Sequence, residues 1–378
     1  MRAKEWLAVS TGILFRPAVW IVYIVIVFEI LFMISPFALH FYAAYGPMLN
    51  VLHEWPGAAW MTMFYLPHFT ETTSPILNAL HVIGMLLIVS GLTMFFAGAI
   101  PVYWSKFRKG RAVTGGLYSF IRHPQYVGLA ITSVGAALVW PRFLVLVTLV
   151  LMIFMYALLA EWEEQLCVSR FGADYQDYQR STGRFLPKRI GERLPRLMPA
   201  SGAGRAILLP FLILCSIAIA VIIGFQLRNW SLSRIAAVYD ERTAVISTAL
   251  LADEDLKKTY QIARSDPRIQ ALLDQTREMR FIVYIVPQEW FLPDLPLDKE
   301  NPSGGHHVPS EFDRLRYKVL FTRARFHGSP PSGVDIVKAS YGRDPLVVAV
   351  VDVGEGAVTE IRTPPSHVKW GAISTPMF

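Results

Sequence analysis

The chain has 378 residues, of which 53% are hydrophobic and 17% are charged, so it lies on the apolar side of soluble averages. Its net charge is +7, and the basic excess belongs to the apolar half: residues 1–230 carry 18 Lys and Arg against 10 Asp and Glu, whereas residues 231–378 carry 18 against 19. This distribution is typical of membrane topology rather than of nucleic-acid binding, and two cysteines suit neither a disulfide framework nor a zinc site.

Five stretches are long and apolar enough to be candidate membrane spans. They are Pro17–Tyr42, Pro75–Trp104, Tyr126–Trp140, Phe143–Ala160 and Ala206–Leu227. The third is short, and Pro141-Arg142 separates it from the fourth. The third and fourth stretches together therefore predict a tight helical hairpin.

Lys and Arg residues flank these spans on alternate sides, which predicts the orientation of the chain. Basic residues precede the first span and recur within 105–125 and 161–205, whereas 43–74 contains none. We therefore expect an integral, multi-pass protein, of the cytoplasmic membrane if the source is bacterial. Its N-terminus is expected in the cytoplasm, and five spans would place residues 228–378 outside it.

The region after the fifth span has the composition of a soluble domain and predicts an α+β fold. Helices are predicted over Ser231–Leu250 and Asp253–Met279, and strands over Phe281–Val286, Arg314–Phe326, Asp335–Ser340 and Leu346–Val353. The region has no nucleophile elbow, phosphate loop or metal-ligand spacing. We expect it to bind a protein partner or to serve in assembly.

The predicted fold is an all-α multi-pass membrane helix bundle of about five transmembrane helices with a C-terminal soluble α+β domain. The predicted parts are an N-terminal span and external loop (1–74), a core with the hairpin and cytoplasmic motifs (75–200), a fifth transmembrane helix (201–229) and the soluble domain (230–378).

Two polar blocks lie at the predicted cytoplasmic boundary, one on each side of the hairpin. The first contains Gly116, Tyr118, Arg122-His123-Pro124, Tyr126 and Gly128. The second contains Glu163-Glu164, Phe171-Gly172, Tyr175, Tyr178 and Arg184 through Pro187. Because a hairpin joins them, both blocks emerge at the same membrane face, and one pocket can include residues from both.

The residue types in these blocks suit a ligand that carries charges of both signs. Ionisable residues near lipid are costly and therefore need a partner or a ligand. Arg122 and His123 can hold a carboxylate, and Pro124 begins a helix whose free amides favour negative charge. Glu163 or Glu164 can accept from an ammonium group or from ribose hydroxyls. An aromatic face such as Tyr126 can lie against a cation.

The pattern G-x-Y-x-x-x-R-H-P-x-Y-x-G, an apolar hairpin, E-E and then F-G-x-x-Y-x-x-Y resembles the isoprenylcysteine carboxyl methyltransferase and phospholipid methyltransferase superfamily over residues 80–190. The resemblance implies a methyltransferase that takes its methyl group from S-adenosylmethionine at the cytosolic end of the membrane helices. It implies no metal. The cofactor-binding residues that it implies are Tyr118, His123, Tyr126, Gly128, Glu163 and Glu164, and the catalytic residues are Arg122 and Glu164.

The sequence departs from the family pattern in two places. The family pattern E-E-x-x-Leu ends in Leu, and this chain has Cys167 at that position, which is a small apolar change. The stretch from Lys106 to Tyr118 is short, which can alter the acceptor that enters. Nothing in the family explains the chain from Trp230 onward.

The methyl acceptor stays open among lipophilic or small molecules with a thiol, carboxyl or amine group, and membrane lipids are the expected surroundings. A carboxylate or thiolate acceptor needs no general base, whereas an amine needs one, and Glu163 or Glu164 can serve. Two other functions are compatible with the sequence. One is an NADPH-dependent membrane reductase of the sterol-reductase type, and the other is a non-catalytic membrane scaffold whose tail binds a partner.

Overall fold

The computed structural model of the chain describes residues 51–108, 112–193, 203–275, 278–292, 295–297 and 308–366. The predicted first span, Pro17–Tyr42, lies outside these residues. The described helices are α1 (Pro75–Phe107), α2 (Pro124–Val139), α3 (Phe143–Phe171), α4 (Ala173–Ser181), α5 (Lys188–Gly191), α6 (Ala203–Leu232), α7 (Asp253–Ser265), α8 (Pro267–Gln275) and α9 (Asp335–Ala339).

Three described helices are long and apolar enough to cross a membrane: Pro75–Ser105, Phe143–Phe171 and Gly204–Leu232. They confirm the second, fourth and fifth predicted spans as membrane-helix candidates. The third predicted span is the helix α2, which has 16 residues. At 1.5 Å per residue α2 is about 24 Å long, shorter than the roughly 30 Å hydrocarbon core of a bilayer.

The helix α3 continues beyond the predicted end of the fourth span at Ala160 and reaches Phe171. Gly172, at φ 62°, then ends the helix, and its N–H donates to the Val168 carbonyl at 2.9 Å. A glycine in the left-handed region is a common way to end a helix. Glu163 and Glu164 therefore lie about two turns before the end of α3.

Glycines allow α1 and α2 to pack closely. A Cβ atom at Gly91 would lie 2.6 Å from the Gly128 carbonyl oxygen, and one at Gly84 would lie 2.7 Å from the Gly135 carbonyl oxygen. The two glycines of each helix are seven residues apart, so they lie on one face of it. Small residues at such positions let membrane helices approach backbone to backbone. The hairpin partners α2 and α3 pack through a buried cluster that includes Tyr126, Leu129 and Tyr156.

The chain divides into two compact units. Among the described residues, unit 1 consists of 81–139 and the part of 145–221 that is described, and it contains both polar blocks. Unit 2 consists of 51–80, 140–144 and the described part of 222–366, and it contains a sheet.

The sheet of unit 2 has six strands in the order β1-β2-β3-β4-β5-β6. The strands are Ala237–Tyr239, Thr243–Ser247, Phe281–Pro287, Arg316–Arg325, Gly342–Asp352 and Ala357–Arg362. All neighbouring pairs are antiparallel except β2 and β3, which are parallel, and α7 and α8 lie between them in sequence. Both faces of β3 are buried, which explains its continuous apolar sequence.

The sheet confirms the predicted mixture of helices and strands and corrects three details. The predicted helix Ser231–Leu250 was wrong, because α6 ends at Leu232 and the β-branched run near Val245 forms β2 instead. The predicted strand Asp335–Ser340 is the short helix α9. The strand β6, Ala357–Arg362, was not predicted, because its exposed, charged sequence lacks an apolar run.

The segment before α1 packs on the sheet region within unit 2. The Glu71 N–H donates to the Thr248 carbonyl at 2.9 Å, and the Thr73 N–H donates to the Arg234 carbonyl at 2.8 Å. The buried Arg228 near the end of α6 donates to the Phe64 and Val337 carbonyls at 2.7 and 3.1 Å. The predicted external loop is therefore part of the same compact unit as the C-terminal sheet.

Candidate active site

Arg122 and Glu164 join the two polar blocks directly. Arg122 Nε donates to Glu164 Oε1 at 2.8 Å, across 42 residues of sequence. Both side chains are largely buried, with exposed fractions of 10% and 5%. A charge-assisted hydrogen bond at this distance is among the stronger polar contacts in proteins. The hairpin therefore brings the blocks into contact, as the sequence predicted.

The main chain joins the blocks as well. Ile121 and Gly183 form a parallel bridge. The Arg122 N–H donates to the Gly183 carbonyl at 2.9 Å, and the His123 N–H donates to the Arg184 carbonyl at 3.1 Å. The segment 182–187 therefore holds the start of α2 in place. We call this segment the strap.

Glu164 is the centre of a cluster of donors and is 4% exposed. Its Oε1 accepts from Arg122 Nε and lies 3.2 Å from both His123 Nε2 and Arg184 Nε. Its Oε2 accepts from Arg184 Nη2 at 2.7 Å and from Gln179 Nε2 at 3.3 Å. Two guanidinium groups offset the cost of burying this carboxylate. Arg122 Nη1 also donates to the carbonyls of Gln179 and Thr182.

Glu163 and His123 form the second part of the cluster. Tyr126 OH donates to Glu163 Oε1 at 2.7 Å, and the Tyr126 ring stacks on the His123 ring with centroids 5.5 Å apart. Glu163 Oε2 lies 3.6 Å from His123 Nδ1, which is longer than a hydrogen bond. His123 is 3% exposed, and its Nδ1 has no hydrogen-bond partner among the described residues.

A cavity of about 220 Å³ opens beside this cluster. Its polar wall includes Glu163, His123 and Arg122. Its remaining walls come from Val102, Ser105, Ala112, Val113, Tyr118, Gln125, Cys167, Arg170, Phe171, Tyr175 and Tyr178. Of the six residues predicted to bind the cofactor, Tyr118, His123 and Glu163 line the cavity, whereas Tyr126, Gly128 and Glu164 do not. Arg122, which was predicted to be catalytic, lines it as well.

Tyrosine hydroxyl groups connect the cavity wall to the rest of unit 1. Tyr118 OH lies 3.0 Å from the Gly98 carbonyl oxygen and 2.8 Å from Gln125 Oε1, two acceptors for its single proton, and Tyr178 OH donates to the Tyr118 carbonyl at 2.7 Å. Burial raises the pKa of Tyr178 to about 12 and raises the pKa values of Tyr118 and Tyr175 as well. These phenols are therefore neutral donors at physiological pH.

Gly128 contributes through packing. A Cβ atom there would lie 2.6 Å from the Phe95 N and 2.7 Å from the Gly91 carbonyl oxygen. A glycine is therefore required at this position of the motif because α1 and α2 are in contact here. The same contact fixes Tyr126, which lies two residues before Gly128 on α2.

Three residues of the cluster were not predicted as site residues: Gln179, Gly183 and Arg184. Arg184 was part of the motif run, and its charge near the predicted membrane face could have indicated a need for a partner. Gly183 has no chemical group to suggest a role. Its importance comes from close packing, which the sequence alone does not reveal.

The comparisons with known proteins agree with the position of the cluster. A family model described as phospholipid methyltransferase matches residues 78–174. These residues contain most of α1, all of α2 and α3, the first polar block, and the second polar block as far as the start of α4. No curated protein and no solved structure matches the chain. The match of residues 78–174 to the phospholipid methyltransferase model therefore agrees with the superfamily resemblance that their motifs predicted.

Proposed function

We propose that this protein is an integral membrane methyltransferase that moves a methyl group from S-adenosylmethionine to a lipophilic or small thiol, carboxyl or amine acceptor at the cytoplasmic membrane face. The observation that carries this proposal is the closure of both polar blocks on one cavity through Arg122 and Glu164. The family match of residues 78–174 supports the reaction class.

The cavity wall fits the polar groups of S-adenosylmethionine, which are an ammonium, a carboxylate, a ribose diol and a sulfonium cation. Glu163 supplies a carboxylate, Arg122 supplies a guanidinium group, and His123 Nδ1 is a buried polar atom without a hydrogen-bond partner among the described residues. The volume of about 220 Å³ is below the 300–1,000 Å³ typical of ligand pockets. We therefore expect the cavity to enclose part of the cofactor and the remainder to extend from its mouth.

The site residues then divide by position. Tyr118, His123 and Glu163 line the cavity and are proposed to contact the cofactor, and Arg122 is proposed to contact the reactants. Tyr126 and Gly128 support this wall from behind. Glu164, which does not line the cavity, is proposed to act by holding Arg122 and His123 in place.

When bound, S-adenosylmethionine supplies an electrophilic methyl group. The contribution of the chain is to orient two reactants and to exclude water. These effects can lower the activation free energy by roughly 7–11 kcal/mol at best. A thiolate or carboxylate acceptor brings its own electron pair. A protonated amine has to lose a proton first, and Glu163 is the carboxylate on the cavity wall that can accept it.

We propose that the cavity faces the cytoplasm and that the C-terminal sheet domain lies outside the cytoplasm. Basic residues concentrate around 105–125 and 161–205, which include both polar blocks. Residues 43–74 contain neither Lys nor Arg, which supports a position of this segment outside the cytoplasm.

The proposal can be tested by ligand binding to the full-length protein in detergent micelles. We expect S-adenosylmethionine to bind, and His123→Ala and Glu163→Gln to weaken its binding at least tenfold. Asp177→Asn is the control, since it also removes a carboxylate from the second block but from an exposed position. Binding of NADPH instead would support a reductase, and binding of neither would support a scaffold. Methyl-labelled cofactor would then identify the acceptor among extracted lipids.

A further inference from the structure

We propose that the strap, the helix α5 and the residues next to them form an interfacial anchor that binds anionic phospholipids beside the start of α2. The anchor combines exposed residues of two kinds. Its apolar residues are Phe120, Leu186 and Ile190, and its basic residues are Lys188, Arg189 and Arg193. The inference goes beyond methyl transfer, because it concerns the lipid that surrounds the site.

The depth of the anchor in the bilayer follows from the end of α1. The helices α1 and α2 are antiparallel, and a Cβ atom at Gly98 would lie 3.2 Å from Pro124 Cγ, so Gly98 marks the level at which α2 begins. The helix α1 continues to Phe107, about 14 Å farther at 1.5 Å per residue. This part of α1 exposes the large side chains of Ile100, Trp104 and Phe107. Because Trp and other large apolar side chains at a helix end are typical of the membrane interface, the bilayer extends past the start of α2.

The strap lies at this same depth, because its backbone accepts hydrogen bonds from the two residues directly before α2. The bridge between Ile121 and Gly183 also places Phe120 beside the strap. Phe120, Leu186 and Ile190 are 66%, 42% and 53% exposed. Apolar side chains that are exposed at the depth of a membrane interface contact acyl chains rather than water. The apolar half of the anchor therefore faces lipid.

The charge of the anchor selects the lipid headgroup. Lys188, Arg189 and Arg193 are exposed, and Glu192, the acidic residue of this stretch, lies 3.6 Å from Lys188 Nζ. Three basic residues and one acidic residue give residues 186–193 a net charge of +2. Basic residues at a membrane surface attract anionic lipids, whereas a zwitterionic headgroup has no net charge to attract. The partner that fits both halves of the anchor is therefore an anionic phospholipid.

The anchor is connected to the candidate active site through the strap. Arg184 lies two residues before Leu186 and donates to Glu164 Oε2 at 2.7 Å. The carbonyls of Gly183 and Arg184 accept from the two N–H groups directly before α2. Lipid contact at Leu186 and Ile190 therefore holds the strap against the start of α2.

A direct test asks what position 190 touches. The full-length protein carries p-benzoylphenylalanine in place of Ile190 and is placed in nanodiscs of phosphatidylcholine and phosphatidylglycerol in equal amounts. Mass spectrometry after irradiation identifies the adducts. We expect lipid adducts at position 190, as at the exposed Leu214 of the apolar helix α6, and none at Gln176, an exposed polar residue of α4. Lipid adducts at position 214 but not at position 190 overturn the anchor.

The composition of the adducts tests the partner. At position 190 we expect phosphatidylglycerol to exceed phosphatidylcholine by about threefold or more. The ratio should fall toward one when the basic residues of the anchor are removed together, by Lys188→Gln, Arg189→Gln and Arg193→Gln. The control removes three exposed basic residues from α7 and should preserve the ratio: Lys257→Gln, Lys258→Gln and Arg264→Gln. An equal ratio in the protein that keeps all these basic residues overturns the preference for anionic lipid.

The connection to the strap has a separate readout that begins with the unaltered protein. Hydrogen exchange of the Arg122 and His123 N–H groups should be slower in nanodiscs that contain phosphatidylglycerol than in nanodiscs of phosphatidylcholine alone. We expect Leu186→Ser together with Ile190→Ser to accelerate this exchange severalfold, whereas Leu214→Ser, at an exposed apolar position of α6, leaves it unchanged. Exchange that responds neither to the lipid nor to the two substitutions overturns the connection between the anchor and the strap.

Discussion

Gly183 and Leu186 approach so closely that a Cβ atom at Gly183 would overlap the Leu186 carbonyl oxygen. The same atom would lie 3.0 Å from the Lys188 N, so backbone rather than flexible side chain would have to move. Gly183 also accepts from the Arg122 N–H. The absence of a side chain at one residue therefore controls the fit of the strap against the start of α2.

We expect Gly183→Ala to displace the strap and to weaken binding of S-adenosylmethionine at least tenfold. Arg184 would then leave Glu164, which would disturb both Arg122 and His123. Calorimetry on the purified variant measures the loss. Gly115→Ala is the matched control, because a Cβ atom there meets nothing within 4 Å and its φ of −98° is ordinary. Equal affinities for the two variants would contradict a role of the strap in the site.

The glycine contacts between α1 and α2 predict a packing defect. Gly91→Leu places a large side chain where a Cβ atom already lies 2.6 Å from the Gly128 carbonyl oxygen. Overpacking of this kind costs about 1–3 kcal/mol, and we expect a lower thermal unfolding midpoint in micelles. Gly204→Leu in α6 has open space at its Cβ and serves as the control. An unchanged midpoint for Gly91→Leu would show that the two helices separate without loss of stability.

The buried position of Arg228 predicts that its replacement destabilises unit 2 locally. The residue is 1% exposed and donates to the Phe64 and Val337 carbonyls, which come from the segment before α1 and from α9. Arg228→Met removes these donors and leaves buried carbonyls unsatisfied, at a cost of about 1–3 kcal/mol each. Hydrogen exchange should then increase around Phe64 and α9. Arg234→Met, at an exposed position, is the control. Unchanged exchange at both places would show that the hydrogen bonds from Arg228 do not stabilise these segments.

The lowered pKa of His53 predicts that the free energy of unfolding of unit 2 depends on pH. Burial and, to a smaller extent, the charges of Arg142, Arg325, Arg343 and His327 together lower its pKa from 6.5 to about 4. The unfolded chain therefore binds more protons between pH 6.5 and 4, so the free energy of unfolding is greatest above pH 6.5 and falls as the pH decreases through this window. The loss is at most about 3 kcal/mol.

The measurement is urea unfolding of unit 2, followed by its tryptophan emission, across this pH window. We expect His53→Gln to flatten the dependence, since an amide keeps a polar contact to Thr62 Oγ1, which lies 3.1 Å from His53 Nδ1, but does not titrate. His307→Gln, in the Pro- and Gly-rich stretch, is the matched control. The same slope in the unaltered protein and in His53→Gln would refute the assignment to His53.

The sequence predicted the pairing of the two blocks because a hairpin has a simple geometric consequence. Once Tyr126–Trp140 and Phe143–Ala160 are antiparallel, Arg122 and Glu164 must emerge together, and their opposite charges near lipid require a contact. The sequence did not reveal which of two adjacent glutamates faces the cavity. That depends on the rotation of α3, about 100° per residue, which no motif records.

Local composition misled the prediction where tertiary packing decides the structure. Ser231–Leu250 contains good helix formers, yet pairing with β3 makes Thr243–Ser247 a strand. Gly183 and Gly91 matter because of atoms distant in sequence, so their roles become visible only in the folded chain.

The hydrogen bonds from Glu71 and Thr73 to the region after α6 have a practical consequence for anyone who shortens this protein. Ending the chain at Leu232 would remove the carbonyl acceptors of Thr248 and Arg234 and would uncover Phe69, which is 3% exposed in the apolar cluster that it shares with Tyr284. The segment that leads into α1 would lose its support. A preparation reduced to the family-matched helices is thus expected to aggregate, and enzymology should begin with the entire polypeptide.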